Sequence, residues 1–329
     1  MSTLENIKQP ILQELSLFNE TMDEALQADL PLLDVSLRYV SEQKGKQMRP
    51  ILMFLLAKLY GPVQQSTIYS AVAAELLHTA SLVHDDIVDE SEMRRGVQSL
   101  CAKIGSQAAV LVGDYILSTA LQFTSRTQSI EIFRLMSDLG KHLAAGEILQ
   151  LNTISSTTFS EESYLEVIRM KTAVLFKYCA EMALLSVDAP ADDIELALHF
   201  VEKVGLCFQI RDDIFDYLPD TTGLGKPTGN DMREGKLTLP ALYVLNAVDN
   251  KEMHQVAHKI KQLEATDQEI EKFTAWCLDN GGVEYAYSKM DHYMNDIAVS
   301  IHELTASCSD TTLADALLGY AQIVVKRHN

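Results

Sequence analysis

Residues 71–89 read AVAAELLHTASLVHDDIVD and place large apolar side chains at Val72, Leu76, Leu77, Val83, Ile87 and Val88. Steps of three and four residues mark one face of a helix and do not suit a strand, whose faces alternate every residue. Similar spacing runs through about 105–125, 130–151, 162–186, 192–217 and 283–304, and no convincing two-residue alternation interrupts it. Gly and Pro, which weaken or break helix interiors, number only 15 and 8 in 329 residues. Breaks fall at Gly61–Pro62, Ser155–Ser160 and Ala189–Pro190, and above all over 219–235, PDTTGLGKPTGNDMREG. That last stretch reads as a loop, longer than most in compact domains, and its length points to function. The pattern predicts an all-α chain of ten or more helices, folded as one domain over 1–329.

Charge and cysteine usage narrow the function. Lys and Arg number 27 against 46 Asp and Glu, a net charge of −19. A field of that sign repels nucleic acid and anionic lipid, so neither is expected as a partner. Five single cysteines with no CxxC pair argue against a disulfide framework or a structural zinc site. The first residues, MSTLENIKQP, lack a basic-then-apolar signal pattern, and no apolar run approaches a membrane span. A cytoplasmic location is expected.

One motif occurs twice. Residues 84–90 read HDDIVDE and 211–217 read RDDIFDY. On a helix the first and last aspartates of each copy, Asp85 with Asp89 and Asp212 with Asp216, lie about one turn apart on one face. Asp86 and Asp213 point partly elsewhere. Each copy follows an apolar run and precedes a breaker, Gly96 or Pro219, so each ends a helix. Carboxylates there oppose the helix dipole and repel one another, and they call for cations. Oxygen ligands without nearby Cys or paired His suit a hard cation such as Mg²⁺. A single cluster of this kind reads more simply as a solvated helix end; two matched copies do not. A di-iron bundle would need Glu-x-x-His twice, and only Glu75-Leu-Leu-His78 is present.

Positive charge is scarce, so its placement carries information. Lys44, Lys46 and Arg49 precede a helix opening at Pro50; Arg94 and Arg95 follow the first acidic motif. Lys171 lies within an apolar segment, and Lys226, Arg233 and Lys236 lie in or after the long loop. Carboxylate-held Mg²⁺ with Arg and Lys forks is what a diphosphate requires. Taken singly, Lys171 also reads as a snorkelling side chain and His78 as a core histidine.

These residues resemble the trans-isoprenyl diphosphate (polyprenyl) synthases over roughly 40–245. The resemblance rests on GKQMRP at 45–50, ELLHTASLVHDDIVDESEMRRG at 75–96, GDYIL at 113–117, Lys171-Thr172, FQIRDDIFD at 208–216, GKPTGND at 225–231 and GKLTLP at 235–240. It implies an isoprenoid-synthase bundle around a central cavity, acting as a homodimer on isopentenyl diphosphate and an allylic diphosphate. It further implies Mg²⁺, three per active site, held by Asp85, Asp86 and Asp89 and by Asp212, Asp213 and Asp216. Arg94, Lys171, Lys226 and Lys236 match the allylic diphosphate contacts. Lys46, Arg49, His78 and Arg95 match the isopentenyl diphosphate pocket, with Lys326 and Arg327 a looser match. Thr172 and Gln209 match polar residues near a developing allylic cation, so the catalytic set is Lys171, Thr172, Gln209 and Lys226. The expected reaction breaks a carbon–oxygen bond, joins the isopentenyl double bond to the cation and releases a proton, most simply to the departing diphosphate. The 219–235 stretch is a candidate lid against water.

Product length follows from the residues before the first motif. The family's short-chain members carry aromatics at the positions of Ala80 and Ser81; small residues here resemble the long-chain members, whose products suit quinone side chains. Small residues also let helices pack closely, and that reading stands beside the first. A large side chain such as Phe123, Ile130 or Phe133 could form the cavity floor. A short-chain farnesyl or geranylgeranyl synthase is the alternative. A terpene cyclase should lack the GKQMRP and second acidic signatures, and a non-catalytic subunit should have lost motif carboxylates; neither fits this sequence.

Overall fold

The computed structural model describes residues 3–43, 45–94, 96–156, 158–218, 228–306, 308 and 310–325. The described residues are overwhelmingly helical, as the apolar period predicts. The chain packs as two compact units, and the boundaries between them fall inside helices. None of the described helices is long and apolar enough to cross a membrane. All five cysteines are unpaired, and burial pushes the Cys179 and Cys207 thiols up to about 12.

The first unit comprises Met1–Gly140, Tyr178–Leu198 and Leu304–Gly319. Its helix Met48–Lys58 is buried from Pro50 through Ala57, so it is apolar on every side. The 24-residue helix Gln65–Val88 carries the first acidic motif. It packs along Ser106–Arg126, and Gly113 of the GDYIL segment lies against it. A Cβ at 113 would lie 2.3 Å from the His84 ring, so any larger residue there would have to displace that ring. The His84 Nε2 lies 3.4 Å from Asp114 Oδ1, a contact that fastens the motif's end of the helix to its neighbour.

The second unit comprises Lys141–Lys177, His199–Glu303 and Tyr320–Asn329. Helix Glu161–Ile168 runs into a π-helical turn, Arg169–Ala173, before helix Val174–Leu185 begins. Such turns insert one extra residue and re-aim the side chains around it. Here they are Lys171 and Thr172. Helix Ala191–Phe215 crosses this turn at Gly205, where a Cβ would stand 2.5 Å from Ala173 Cα. That backbone-to-backbone approach brings Thr172 to Gln209, one turn further along.

Two details differ from the sequence reading. A two-residue antiparallel ladder, Met93–Arg94 with Val97–Gln98, follows the first motif. Two residues are too few to show a period. Part of the 219–235 stretch is helical: Asn230–Arg233 forms one turn, seeded by the Asp216 carboxylate, which accepts the Asn230 and Asp231 amides at 2.9 and 3.0 Å. Residues 219–227, with Lys226, lie outside the described residues, as do Lys44, Arg95, Lys326 and Arg327.

Candidate active site

In the first unit, helix Gln65–Val88 stops at the acidic motif. Asp89 is its C-cap, and its amide donates to the Asp85 carbonyl at 2.8 Å. Asp85 is half-buried and Asp89 exposed, one turn apart as the spacing predicts. Asp86 turns inward, 4% exposed, and takes the Arg94 Nε on both oxygens at 2.7 and 2.8 Å. Burial pushes its carboxyl up, and the Arg94 guanidinium opposes that shift. The hairpin thus folds Arg94 back onto the motif it follows.

A second basic group, from helix Met48–Lys58, lies against the same helix. Arg49 donates from Nη1 to Glu75 Oε1 at 2.9 Å and from Nη2 to His78 Nε2 at 2.8 Å. A guanidinium can only donate, so His78 Nε2 accepts and the ring's proton sits on Nδ1. The structure therefore joins Arg49 with His78, and Lys46 is exposed just before them. Ala80 is 1% exposed and part of the core, whereas Ser81 is half-exposed and donates to the His78 carbonyl at 2.9 Å. Of the three floor candidates, Ile130 and Phe133 are exposed at 58% and 39%, while Phe123 is buried edge-on against Tyr69 at 5.9 Å. Tyr69 lies sixteen residues before Asp85 on the same helix, about 24 Å along its axis.

In the second unit a cavity of about 280 Å³ is lined by Lys171, Thr172, Gln209, Asp213, Asp231 and Lys236 among others. Lys171 Nζ pairs with Glu147 at 2.6 Å and meets Gln150 Oε1 at 3.2 Å. Asp213 is 5% exposed and accepts the Tyr164 hydroxyl and the Gln209 amide. Burial, then the Asp231 charge, pushes its carboxyl well above the usual range. Burial and the neighbouring Asp216 raise Asp231 to about 7. Asp212 faces outward on Arg211 at 2.6 Å, and Arg211, 3% exposed, also donates to the Val324 carbonyl. Lys236 pairs with Glu234 at 2.5 Å.

The donors of both motifs are oxygens only, which suits Mg²⁺. Among the described residues no three acidic, His or Cys side chains converge on one point.

A family model described as Polyprenyl synthetase matches residues 30–276. The chain belongs to that family. It is 31% identical over 327 residues to the Octaprenyl diphosphate synthase of Escherichia coli (strain K12), covering 98% of this chain and 99% of that protein. It is 44% identical to the solved geranylgeranyl pyrophosphate synthase from Bacteroides thetaiotaomicron, with 98% of each chain covered and a TM-score of 0.84. Against the decaprenyl diphosphate synthase from Rhodobacter capsulatus the identity is 28%, the cover 99% and 100%, and the TM-score 0.91. The isoprenoid-synthase fold expected from the motifs is therefore the fold of this polyprenyl synthase.

Sequence reading missed Tyr164, Glu147, Asp231 and Arg211. Asp231 was legible as the last residue of GKPTGND and Arg211 as the residue opening RDDIFD. Tyr164 and Glu147 carry no local signal, because their partners lie 49 and 24 residues away.

Proposed function

We propose that this chain is a prenyltransferase that adds isopentenyl diphosphate head-to-tail onto an allylic diphosphate, making a long all-trans polyprenyl diphosphate of a length suited to a quinone side chain. The observation that carries this reading is the wall of the second unit's cavity. There the cations of Lys171 and Lys236 stand beside Asp213 and Asp231, with Thr172 and Gln209 between. Such a wall binds an anion through the lysines while offering oxygens to a positive carbon. The family match to a curated octaprenyl synthase supports the long product.

In this reading one catalytic domain spans 1–329. Asp85 and Asp89 in one motif and Asp212 in the other hold Mg²⁺, three per active site, with Asp86, Asp213 and Asp216 supporting. When bound, Mg²⁺ supplies positive charge to the departing diphosphate. Arg94, Lys171, Lys226 and Lys236 bind that diphosphate and stabilise the charge that develops on it. Lys46, Arg49, His78 and Arg95 anchor isopentenyl diphosphate and aim its double bond. Asp86 orients Arg94, and Glu75 with His78 orients Arg49. The homodimer is supported by an apolar face on Ser106–Arg126, where Val110, Leu111, Tyr115 and Leu121 are exposed.

A shorter, geranylgeranyl-length product is the second reading, favoured by the 44% identity to a solved structure of that name. Radiolabelled isopentenyl diphosphate with a geranyl or farnesyl primer, followed by chromatography of the products, decides. A ladder beyond the geranylgeranyl length is expected. Arrest at that length establishes the second reading, and the absence of any elongation overturns both.

A further inference from the structure

Four side chains of the second unit form one unbranched chain of hydrogen bonds beside the cavity. The Tyr164 hydroxyl donates to Asp213 Oδ2 at 2.6 Å, and Gln209 Nε2 donates to Asp213 Oδ1 at 2.8 Å. The Thr172 hydroxyl donates to Gln209 Oε1 at 2.7 Å. Each link dictates the next. Oδ1, the Asp213 oxygen facing Gln209, accepts whether the carboxyl is ionised or carries its proton on Oδ2, so the Gln209 amide must turn its NH₂ toward it. The flipped amide would set two oxygens face to face with no proton between them. Held this way, Gln209 offers its carbonyl oxygen to Thr172, and a carbonyl can be met only by a donor. The Thr172 proton therefore points along the wall, and the lone pairs of its oxygen are left to the cavity that Thr172 lines.

We propose that Tyr164 is a positioning residue: by anchoring Asp213 it fixes the Gln209 amide and so turns the Thr172 hydroxyl oxygen, not its proton, toward the carbon that becomes positive. The proposal rests on the prenyl-transfer reading. Tyr164 is 6% exposed and acts only through this chain. Remove its hydroxyl and Oδ2 loses its donor, the carboxylate is free to turn, and the amide loses its registration. Thr172 can then rotate its proton toward the cavity, where it repels positive charge instead of attracting it. The π-helical turn makes the arrangement attainable, because it sets Thr172 opposite Gln209.

The test uses the full chain with Mg²⁺ and inorganic diphosphate. Two probes are titrated: a prenyl chain whose reacting carbon is replaced by a dialkylammonium nitrogen, and the neutral chain with carbon in that place. A site that stabilises the cation binds the charged probe more tightly. In Tyr164→Phe the charged-over-neutral preference is expected to fall about tenfold, with kcat falling by a similar factor and KM for both substrates nearly unchanged. A purely structural defect weakens both probes alike, so an unchanged preference overturns the proposal. If Tyr164→Phe does not fold, Gln209→Met cuts the same chain at its middle. It should show the same loss, and an unchanged preference there overturns the proposal equally. Elongation by the wild-type chain is measured alongside. Its absence overturns the prenyl-transfer reading and the proposal with it, whereas elongation with an unchanged preference removes the role of Tyr164 alone.

Discussion

At residues 85–89 the Asp-Asp-x-x-Asp motif ends a helix with Asp85 half-buried, Asp89 exposed, and Asp86 turned in to clamp Arg94. At 212–216 the same letters are used otherwise: Asp213 is buried on Tyr164 and Gln209, Asp216 caps the Asn230–Arg233 turn, and Asp212 faces outward on Arg211. In the first copy Asp86 is tied to the fold, and in the second Asp213 and Asp216 are. Identical motifs thus divide differently between holding ligands and holding the protein, and the division follows from the donors each neighbourhood supplies. The first copy's neighbour is a hairpin that supplies Arg94. The second copy's neighbours are a tyrosine, an amide side chain and a helix N-terminus.

The sharpest way to break this comparison is to remove the first carboxylate of each copy. Asp85→Ala and Asp212→Ala should each reduce turnover by at least about 10²-fold, the scale of losing one main electrostatic contact to the transition state. Melting temperature should fall little in Asp85→Ala, because removing one charge from a like-charged cluster relieves repulsion. Near-normal turnover in either variant with Mg²⁺ present would end the assignment of these residues.

The basic residues offer the next test. Arg49→Ala should weaken isopentenyl diphosphate binding about tenfold or more, the worth of a charged hydrogen bond, and leave allylic binding much less affected. Lys46→Ala should act in the same direction but more weakly, since Lys46 is exposed. Lys171→Ala should do the reverse. Titrations in which each change weakens both substrates equally would erase the distinction between the two groups.

Product length gives a change of kind with little change of rate. Ser81→Phe should shorten the main product, because Ser81 is half-exposed one turn before Asp85. Ala80→Tyr is a poorer probe than the sequence promised: Ala80 is in the core, and a ring there overpacks it. A long product from a folded, active Ser81→Phe chain would send the tail along a different helix.

The smallest effect concerns stability of the metal-free protein. Asp231 is raised to about 7 in the folded state, against an unfolded value near the ordinary carboxylate one. Between those values the folded chain holds a proton that the unfolded chain has lost, so this residue's contribution to stability falls as pH rises and levels off above about 7. Asp231→Asn should remove that slope, read as the difference between wild-type and variant denaturation midpoints at pH 5 and 8. Parallel curves would show that Asp231 does not hold a raised carboxyl in the folded chain.

The helix bearing the first motif was legible because its apolar steps are regular and its end is marked by charge. The motif pairs were legible because chemistry and spacing coincide in a few adjacent letters. Contacts set by the fold were not. The π-helical turn at RMKTA has no sequence signal; it accompanies the crossing of Gly205 over Ala173. The Asn230–Arg233 turn sits in a Gly- and Pro-rich stretch, and its capping carboxylate lies fourteen residues earlier. Core placement of Ala80 and half-exposure of Ser81 depend on which way the helix is rotated, and two small residues side by side do not reveal it.

Arg211 has a practical bearing on how the enzyme should be handled. Its buried guanidinium holds Asp212 on one side and the Val324 carbonyl, near the end of the last helix, on the other. An affinity tag or deletion that frays this final turn leaves a desolvated cation with half its partners, and the disturbance is felt at a motif 112 positions upstream. Purification handles therefore belong at the amino end, and kinetic constants from carboxy-tagged protein should be compared with those of the tag-free chain before any substitution is interpreted.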